Sequence, residues 1–218
     1  MGEQNFIHNE IDSSSLPERG FRRRGYAELH ITSNFSFLRG ASHPHELVEQ
    51  AAALGYKEIA ITDRNTLAGI VRAHAAGRKC GVRIISACRL DLLDGTSLLA
   101  YPTNIKAYSQ LTNLLTLGNT RAEKGECFLY KKDVYQFSEG IKFIALPPGS
   151  LNHEFDFDAS FKETLKEYRD VFAKNLYLAA TKRYHGDDQK TFFGLSQLSQ
   201  QLNIPLIATN DVHYHNPH

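Results

Sequence analysis

Between Tyr26 and Gly69 two strand-like runs flank one amphipathic helix, and that order leaves few architectures open to the chain. The first run, Tyr26-Ala27-Glu28-Leu29-His30-Ile31-Thr32-Ser33, alternates well enough for a strand. The second, Glu58 to Thr62, is a short apolar strand of the kind buried on both faces, and it ends in Asp63-Arg64. Between them, Ser42 is a candidate cap, Pro44 suits a first turn, and Glu46 places negative charge near the positive end of a helix. Leu47, Val48, Ala51, Ala52 and Leu54 form its buried stripe, and Gly55 stops it. This is a βαβ unit, whose chemistry belongs at the carboxyl ends of its strands.

The same alternation continues. Thr66 to Gly77 reads as a second helix with Leu67, Ile70, Val71 and His74 on one face, and Gly81 to Leu90 contains a third strand. Asp94-Gly95 signals a hairpin between Leu90-Asp91-Leu92 and Ser97 to Tyr101. Helices are expected over Asn104–Leu117, Lys131–Gln136, Ala159–Phe172 and Asp187–Leu202, and strands over Gly140–Leu146, Asn175–Thr181 and Ile204–Ala208. Gly118 to Glu126 reads as a charged loop. Strands alternating with helices, without an internal repeat, predict an α/β fold on a parallel sheet. With 218 residues, the chain is slightly short for a full eight-stranded barrel, which favours a reduced or distorted one.

Composition closes off other classes. A net charge of +1 sets up no global field for nucleic acid, and Arg22-Arg23-Arg24 is the one basic run. Cys80, Cys88 and Cys127 are spaced for neither a disulfide framework nor a zinc knuckle, so a reducing cytoplasm is expected. No apolar run reaches the ~18 residues of a membrane span. Residues 1–24 are polar, without a sustained period, and read as a lead-in to one domain over residues 25–218.

The residues that could do chemistry fall at strand ends: His30 with Thr32, Asp63 with Arg64, Cys88 with Arg89, and Asp211 with His213. Imidazole and carboxylate suit zinc, manganese or iron in a hydrolytic site. The Asp-x-His spacing of Asp211 and His213 puts both side chains on one face of an extended segment. The same residues also fit a plainer role, histidines as packed core groups and Asp63 and Asp211 as caps of following turns.

Tyr26 through Pro44, Ala60 through Gly69, Leu114 through Cys127 and Pro205 through Tyr214 together resemble the polymerase-and-histidinol-phosphatase (PHP) domain. The similarity is strongest to the N-terminal PHP domain of bacterial DNA polymerase III alpha subunits, in the error-prone branch that serves damage-induced mutagenesis. The resemblance implies a distorted seven-stranded (β/α) barrel whose cleft, in active members, holds up to three metal ions and hydrolyses phosphoesters. It also implies a polymerase core in the same chain using magnesium, DNA reached through that core, and a sliding clamp and mutagenesis accessory proteins as partners.

The sequence departs from the active pattern. Thr32 stands where the second histidine of an opening His-x-His is expected, Arg64 where a histidine follows the aspartate, Arg89 in place of a glutamate, and Ser97 in place of another histidine. His30, Asp63, Asp211 and His213 remain as remnant metal ligands. At ~4 Å and an effective dielectric of ~20, each added positive charge repels a unit charge by ~4 kcal/mol, and a divalent ion twice as strongly. The expectation is therefore a degenerate phosphoesterase cleft in a scaffold domain, with no resident cofactor. At most one residual zinc or manganese ion would sit on His30, Asp211 and His213. Arg64 and Arg89 are expected to take over the metal's charge by pairing with Asp63 and Asp211. An active phosphoesterase, a 3′–5′ exonuclease or phosphatase, is the alternative.

Overall fold

The computed structural model describes residues 26–216; the lead-in expected over residues 1–24 lies outside the described residues. Three parallel strands, β1 (Glu28–Ile31), β2 (Glu58–Ile61) and β3 (Arg83–Ser86), form one sheet in that order. A second sheet runs β4 (Cys88–Asp91), β5 (Ser97–Pro102), β6 (Ile141–Ala145), β7 (Leu176–Thr181) and β8 (Leu206–Thr209). The helices are α1 (Pro44–Ala53), α2 (Ile70–Cys80), α3 (Ile105–Arg121), α4 (Lys131–Gln136), α5 (Ala159–Phe172) and α6 (Asp188–Leu202).

The α/β class is as expected, but the strand count is not. Instead of seven strands in one barrel, the described residues form eight strands in two sheets. The number seven came from the resemblance, whereas the sequence pattern itself already set a hairpin strand at Leu90-Asp91-Leu92 apart from the third strand. The two part at Ala87, which is wholly buried: β3 stays parallel to β2, while β4 turns away to pair antiparallel with β5. β5 and β6 are also antiparallel, so the second sheet is mixed. The Asp94-Gly95 turn between β4 and β5 places Gly95 at φ 84°, in the left-handed region that glycine occupies freely.

Two isolated bridges join the sheets, Ile31 with Val212 and Arg64 with Arg89. The first is supported by hydrogen bonds from Thr32 N to Val212 O and from Val212 N to His30 O, the second by Asn65 N to Arg89 O and Arg89 N to Asp63 O. These bridges bring the carboxyl ends of β1 and β2 to the start of β4 and the segment after β8.

Packing follows the amphipathic stripes with local exceptions. α1 buries Leu47, Val48 and Ala51 against Ile59 and Ile61 of β2. Its N-cap is His43 rather than Ser42; the His43 amide is taken by Glu46 Oε2 at 2.7 Å, while Ser42 Oγ receives the His215 amide. α2 begins four residues later than expected and buries Ile70, Ala73, Ala76 and Gly77, leaving Val71 78% exposed. α3 opens with the Asn104 carboxamide accepting the Ala107 amide and runs through Arg121, into the segment read as a loop. Gly118 permits that extra turn, because Cys127 Sγ and Leu129 Cδ2 lie 2.6 Å from where a Cβ would stand. The larger core packs β4–β7 against α3, α5 and α6 through Leu111, Leu114, Phe143, Leu165, Tyr168 and Leu195. A small inner cluster, including Ala60, Ala87, Leu99, Ile144 and Ala179, joins side chains of both sheets.

The late start of α2 has a cause that can be tested. Gly69 leaves 2.6 Å between a notional Cβ and Asp63 Oδ2, and 3.1 Å to Ser33 Oγ. Asp63 is fixed by three hydrogen bonds and cannot swing aside. Gly69→Ala is expected to lower stability by ~1–3 kcal/mol in urea denaturation, the usual cost of overpacking. An unchanged midpoint would show that the Asp63 contacts yield.

Candidate functional site

The four carboxylates nearest the joined strand ends have separate tasks. Asp63, 1% exposed, does not reach into the cleft. Its Oδ1 accepts the Ser33 amide at 2.8 Å and the Ser36 hydroxyl at 2.8 Å, and its Oδ2 accepts the Ser33 hydroxyl at 2.7 Å. Ser36 Oγ in turn receives the Arg64 amide. Asp63 thus ties the loop after β1 to the end of β2. Glu28, which the sequence reading left out, does the same at the β1–β8 seam. Its carboxylate accepts the His30 and Asn210 amides, the Asn210 carboxamide and the Tyr26 hydroxyl.

Arg64 and Arg89 do meet a carboxylate, but it is neither Asp63 nor Asp211. Both turn to Asp91, Arg64 Nη1 at 2.8 Å and Arg89 Nε at 2.7 Å. Ser97 Oγ donates to Asp91 Oδ1 at 2.6 Å and receives Arg89 Nη2 at 3.2 Å. The expected pairing fails for a geometric reason. Asp63 is already saturated by serines, and Asp91 shares a strand face with Arg89 two residues earlier. That i, i+2 relation was readable in Cys88-Arg89-Leu90-Asp91 once the segment is taken as a strand of its own. Asp91 is held below the usual carboxylate range: burial pushes it upward, but Arg89, the Ser97 hydroxyl and Arg64 outweigh it.

Of the residues singled out in the sequence, His30, Asp211 and His213 do come together. Asp211 Oδ1 lies 3.1 Å from His30 Nε2 and 3.2 Å from His213 Nε2. His213 Nδ1 reaches the Arg39 carbonyl at 2.9 Å. Although Asp211 is within reach of His30, neither ring nitrogen of His30 is aimed for a hydrogen bond. Burial, with Arg89, His213 and Arg64 adding to it against Asp211, lowers His30 to about 4. The Asp211 hydrogen bond raises His213 above its ordinary value. Asp211 is driven well below the carboxylate range: burial opposes this, and the His213 bond with the surrounding positive charge prevails.

These shifts predict a pH dependence. His30 has a folded pKa near 4 against an ordinary 6.5, so the unfolded chain binds its proton first. Stability then falls as pH drops from 6.5 towards 4, by an amount on the order of 3 kcal/mol. His213 acts with the opposite sign, since its raised pKa adds stability that disappears on the alkaline side. Denaturation midpoints across this range should show the acid-side loss in the native chain and a flatter profile in His30→Gln. Identical profiles would count against a buried neutral His30.

His30, Arg64, Arg89, Ser97 and Asp211 line the floor of a cleft of about 780 Å³. Its outer wall carries Asp94, Asp158, Glu163 and Glu167 with Lys131 and Arg183, and Lys131 bridges Asp94 and Glu167 at 3.2 and 3.1 Å. The donor set does not fit a multinuclear metal centre. Among the described residues no group of three His, Cys, Asp or Glu side chains is arranged to hold an ion. Asp63 is spent on serines, Thr32 and Ser97 supply hydroxyls, and the Asp211 oxygen that lies 3.1 Å from His30 Nε2 is already engaged with His213. No described helix is long and apolar enough to cross a membrane.

Outside the cleft, Arg121 is forked onto buried Asp133 and so is spent on holding α3 to α4 rather than free for a partner. Cys88 is buried and its thiol is pushed far up by desolvation, while Cys80 and Cys127 are partly buried; all three are free thiols.

Fold and cleft together define a class. The family model described as PHP domain matches residues 28–182, and the chain belongs to that family. It is 46% identical over 193 residues to the error-prone DNA polymerase of Caulobacter vibrioides, and 42% identical over 192 residues to error-prone DNA polymerase 2 of Agrobacterium fabrum. Each alignment covers 88% of this chain but only 17% of the relative, so the chain spans about a sixth of those polymerases. In fold it is similar to a Bifidobacterium adolescentis protein assigned as a metal-dependent phosphoesterase, with TM-score 0.61, 16% identity and coverage of 89% and 90% of the two chains. An amidohydrolase from Chromobacterium violaceum gives TM-score 0.59 at 13% identity, covering 86% and 87%.

Proposed function

We propose that this chain is the N-terminal PHP domain of an error-prone, DNA-directed DNA polymerase that acts in damage-induced mutagenesis and lesion bypass. Within it the domain serves as a scaffold and its ancestral hydrolytic cleft holds no catalytic metal. The polymerase core of the same chain would bind DNA and use magnesium for nucleotidyl transfer, in the cytoplasm, with a sliding clamp and mutagenesis accessory proteins as further partners. The distorted (β/α) barrel of the family corresponds here to the two sheets with their joining bridges.

One observation carries the scaffold reading. Arg64 and Arg89 stand at the cleft floor and converge on Asp91, so fixed positive charge occupies positions where an active member has ligands. Cations next to a would-be cation site oppose binding by several kcal/mol, and the arginines meanwhile join β2 to β4. The polymerase assignment draws its support from relatives at 42–46% identity.

The test is hydrolytic. With manganese or zinc supplied, the domain is expected to release no mononucleotides from a 3′ end and no phosphate from small phosphomonoesters. Release that is abolished by a chelator and by Asp211→Ala would establish the phosphoesterase instead.

A further inference from the structure

Between Asp63 and Asp91 the chain carries no aspartate or glutamate, but six cations: Arg64, Arg72, Arg78, Lys79, Arg83 and Arg89. The whole chain is nearly balanced, with 25 lysines and arginines to 24 aspartates and glutamates, so charge is segregated in this stretch. Arg64 and Arg89 are spent on Asp91, and Arg83 reaches Glu58 Oε1 at 2.9 Å. Arg72, Arg78 and Lys79 lie on the exposed side of α2, and among the described residues no carboxylate stands within ion-pair distance of them. For Arg78 and Lys79 there is a local reason, since they stand in the last turn, where the helix dipole favours cations. Arg72 has none. It stands in the first turn, at the positive end of the dipole, with no acidic residue beside it.

The loop between β1 and α1 adds a second, independent feature to the same side. Phe37 and Leu38 are 83% and 86% exposed, yet the loop that carries them is fixed. The amides of Arg39 and Gly40 both donate to the Ser36 carbonyl, and a Cβ at Gly40 would overlap the Ser33 carbonyl. Leu38 sits at φ 60°, a region that a bulky side chain adopts only at a cost. The two apolar side chains are therefore held outward. Phe35 of this loop lies under Arg72, with the guanidinium carbon 5.3 Å from the ring centroid, so the loop and the first turn of α2 adjoin.

We propose that the outer face of α2 and the Phe37 loop together bind single-stranded nucleic acid, with Arg72 and Lys79 on backbone phosphates and a base stacked on Phe37. Charge and spacing select this partner. Arg72 and Lys79 are seven residues apart, which places them about 10.5 Å apart along one face of the helix, and the exposed residue between them, Ala75, is small. A row of cations suits the repeated charges of a polyanion. An exposed aromatic ring beside such a row is the arrangement that holds single strands, because every base offers a face to stack. A duplex hides its base faces from Phe37, and an acidic protein segment brings no base to it. This surface lies outside the cleft, and the inference depends neither on the cleft being metal-free nor on the polymerase assignment.

Fluorescence anisotropy of a labelled oligothymidylate of about twelve nucleotides, titrated with the chain in chelator across a range of salt, tests this. Saturable binding that weakens with salt is expected. Arg72→Gln and Lys79→Gln should each flatten the slope of log K against log salt by about 0.7, the value for one phosphate contact to a single strand. Phe37→Ala should weaken binding about fivefold or more through the lost stack, with the slope unchanged. Lys79→Gln and Phe37→Ala alter exposed side chains without described partners, so they serve if Arg72→Gln, which gives up the contact with Phe35, does not fold. Lys106→Gln, a cation of α3 already paired with Glu139, should bind as the native chain does. No saturable binding at low salt, or slopes unmoved by both α2 variants, overturns the proposal. Duplex DNA of the same length bound as tightly, with Phe37→Ala without effect, overturns the single-strand reading. Displacement of the oligonucleotide by polyglutamate at equal charge concentration also overturns it, and assigns the face to an acidic protein.

Discussion

Asp63→Ala is expected to remove most of the domain's stability. The substitution leaves the Ser33 amide and the Ser33 and Ser36 hydroxyls without their acceptor at a position 1% exposed. Three donors orphaned around a lost buried charge cost ~3–5 kcal/mol, against a total of ~5–15 kcal/mol for a domain. Urea denaturation followed by circular dichroism should show a midpoint shifted by that amount, and the shift should be the same with and without a chelator. A variant within ~1 kcal/mol of the native chain would mean that the serine contacts contribute little. A shift that vanishes in chelator would return Asp63 to the role of metal ligand.

Asp91→Ala is expected to cost ~2–4 kcal/mol, because it leaves Arg64 and Arg89 facing each other without a counter-charge in a half-buried cleft. Arg64→Gln or Arg89→Gln alone should cost less, since the remaining arginine keeps Asp91 paired. The double variant Asp91→Ala with Arg64→Gln should then be more stable than the sum of the singles, with a coupling of ~1–2 kcal/mol. The pH dependence gives a second readout. Asp91 is depressed in the folded state, so its contribution is present above the ordinary carboxylate pKa of ~4 and is lost as pH falls through its lower folded value. The acid limb of the stability curve should be shallower in Asp91→Ala. Additive energies and an unchanged acid limb would together dismiss the arginine–aspartate knot as a stabilising element.

Much of the element order was legible because it rests on local rules. Leu47, Val48 and Ala51 of the α1 stripe and the Asp94-Gly95 turn are each written within a few residues, and they appear where the pattern puts them, whereas Leu54, read into the same stripe, falls after the helix and is exposed. The errors lie where a distant contact overrides a local signal. Val71 has the apolar spacing of a buried residue, yet it is exposed because α2 packs through Ile70, Ala73, Ala76 and Gly77, which turns Val71 outward. The hairpin strand read at Leu90-Asp91-Leu92 begins two residues earlier, at Cys88, because the chain turns at buried Ala87 to pair with β5. Phe193 sits in the apolar pattern of α6 and is 68% exposed, while Leu195 and Leu198 take the core.

The candidate site divides in the same way. Residue types alone established that carboxylates, imidazoles and two arginines stand at strand ends, and that Arg64 and Arg89 bring positive charge to that rim. Those are properties of charge and period, which travel with the sequence. Which carboxylate each arginine would choose was decided by the tertiary structure. Ion pairs depend on which side chains arrive within a few ångströms with lone pairs still free. The Ser33–Ser36 loop took the lone pairs of Asp63, His213 took Asp211, and the turn of β4 out of the first sheet delivered Asp91 to both arginines.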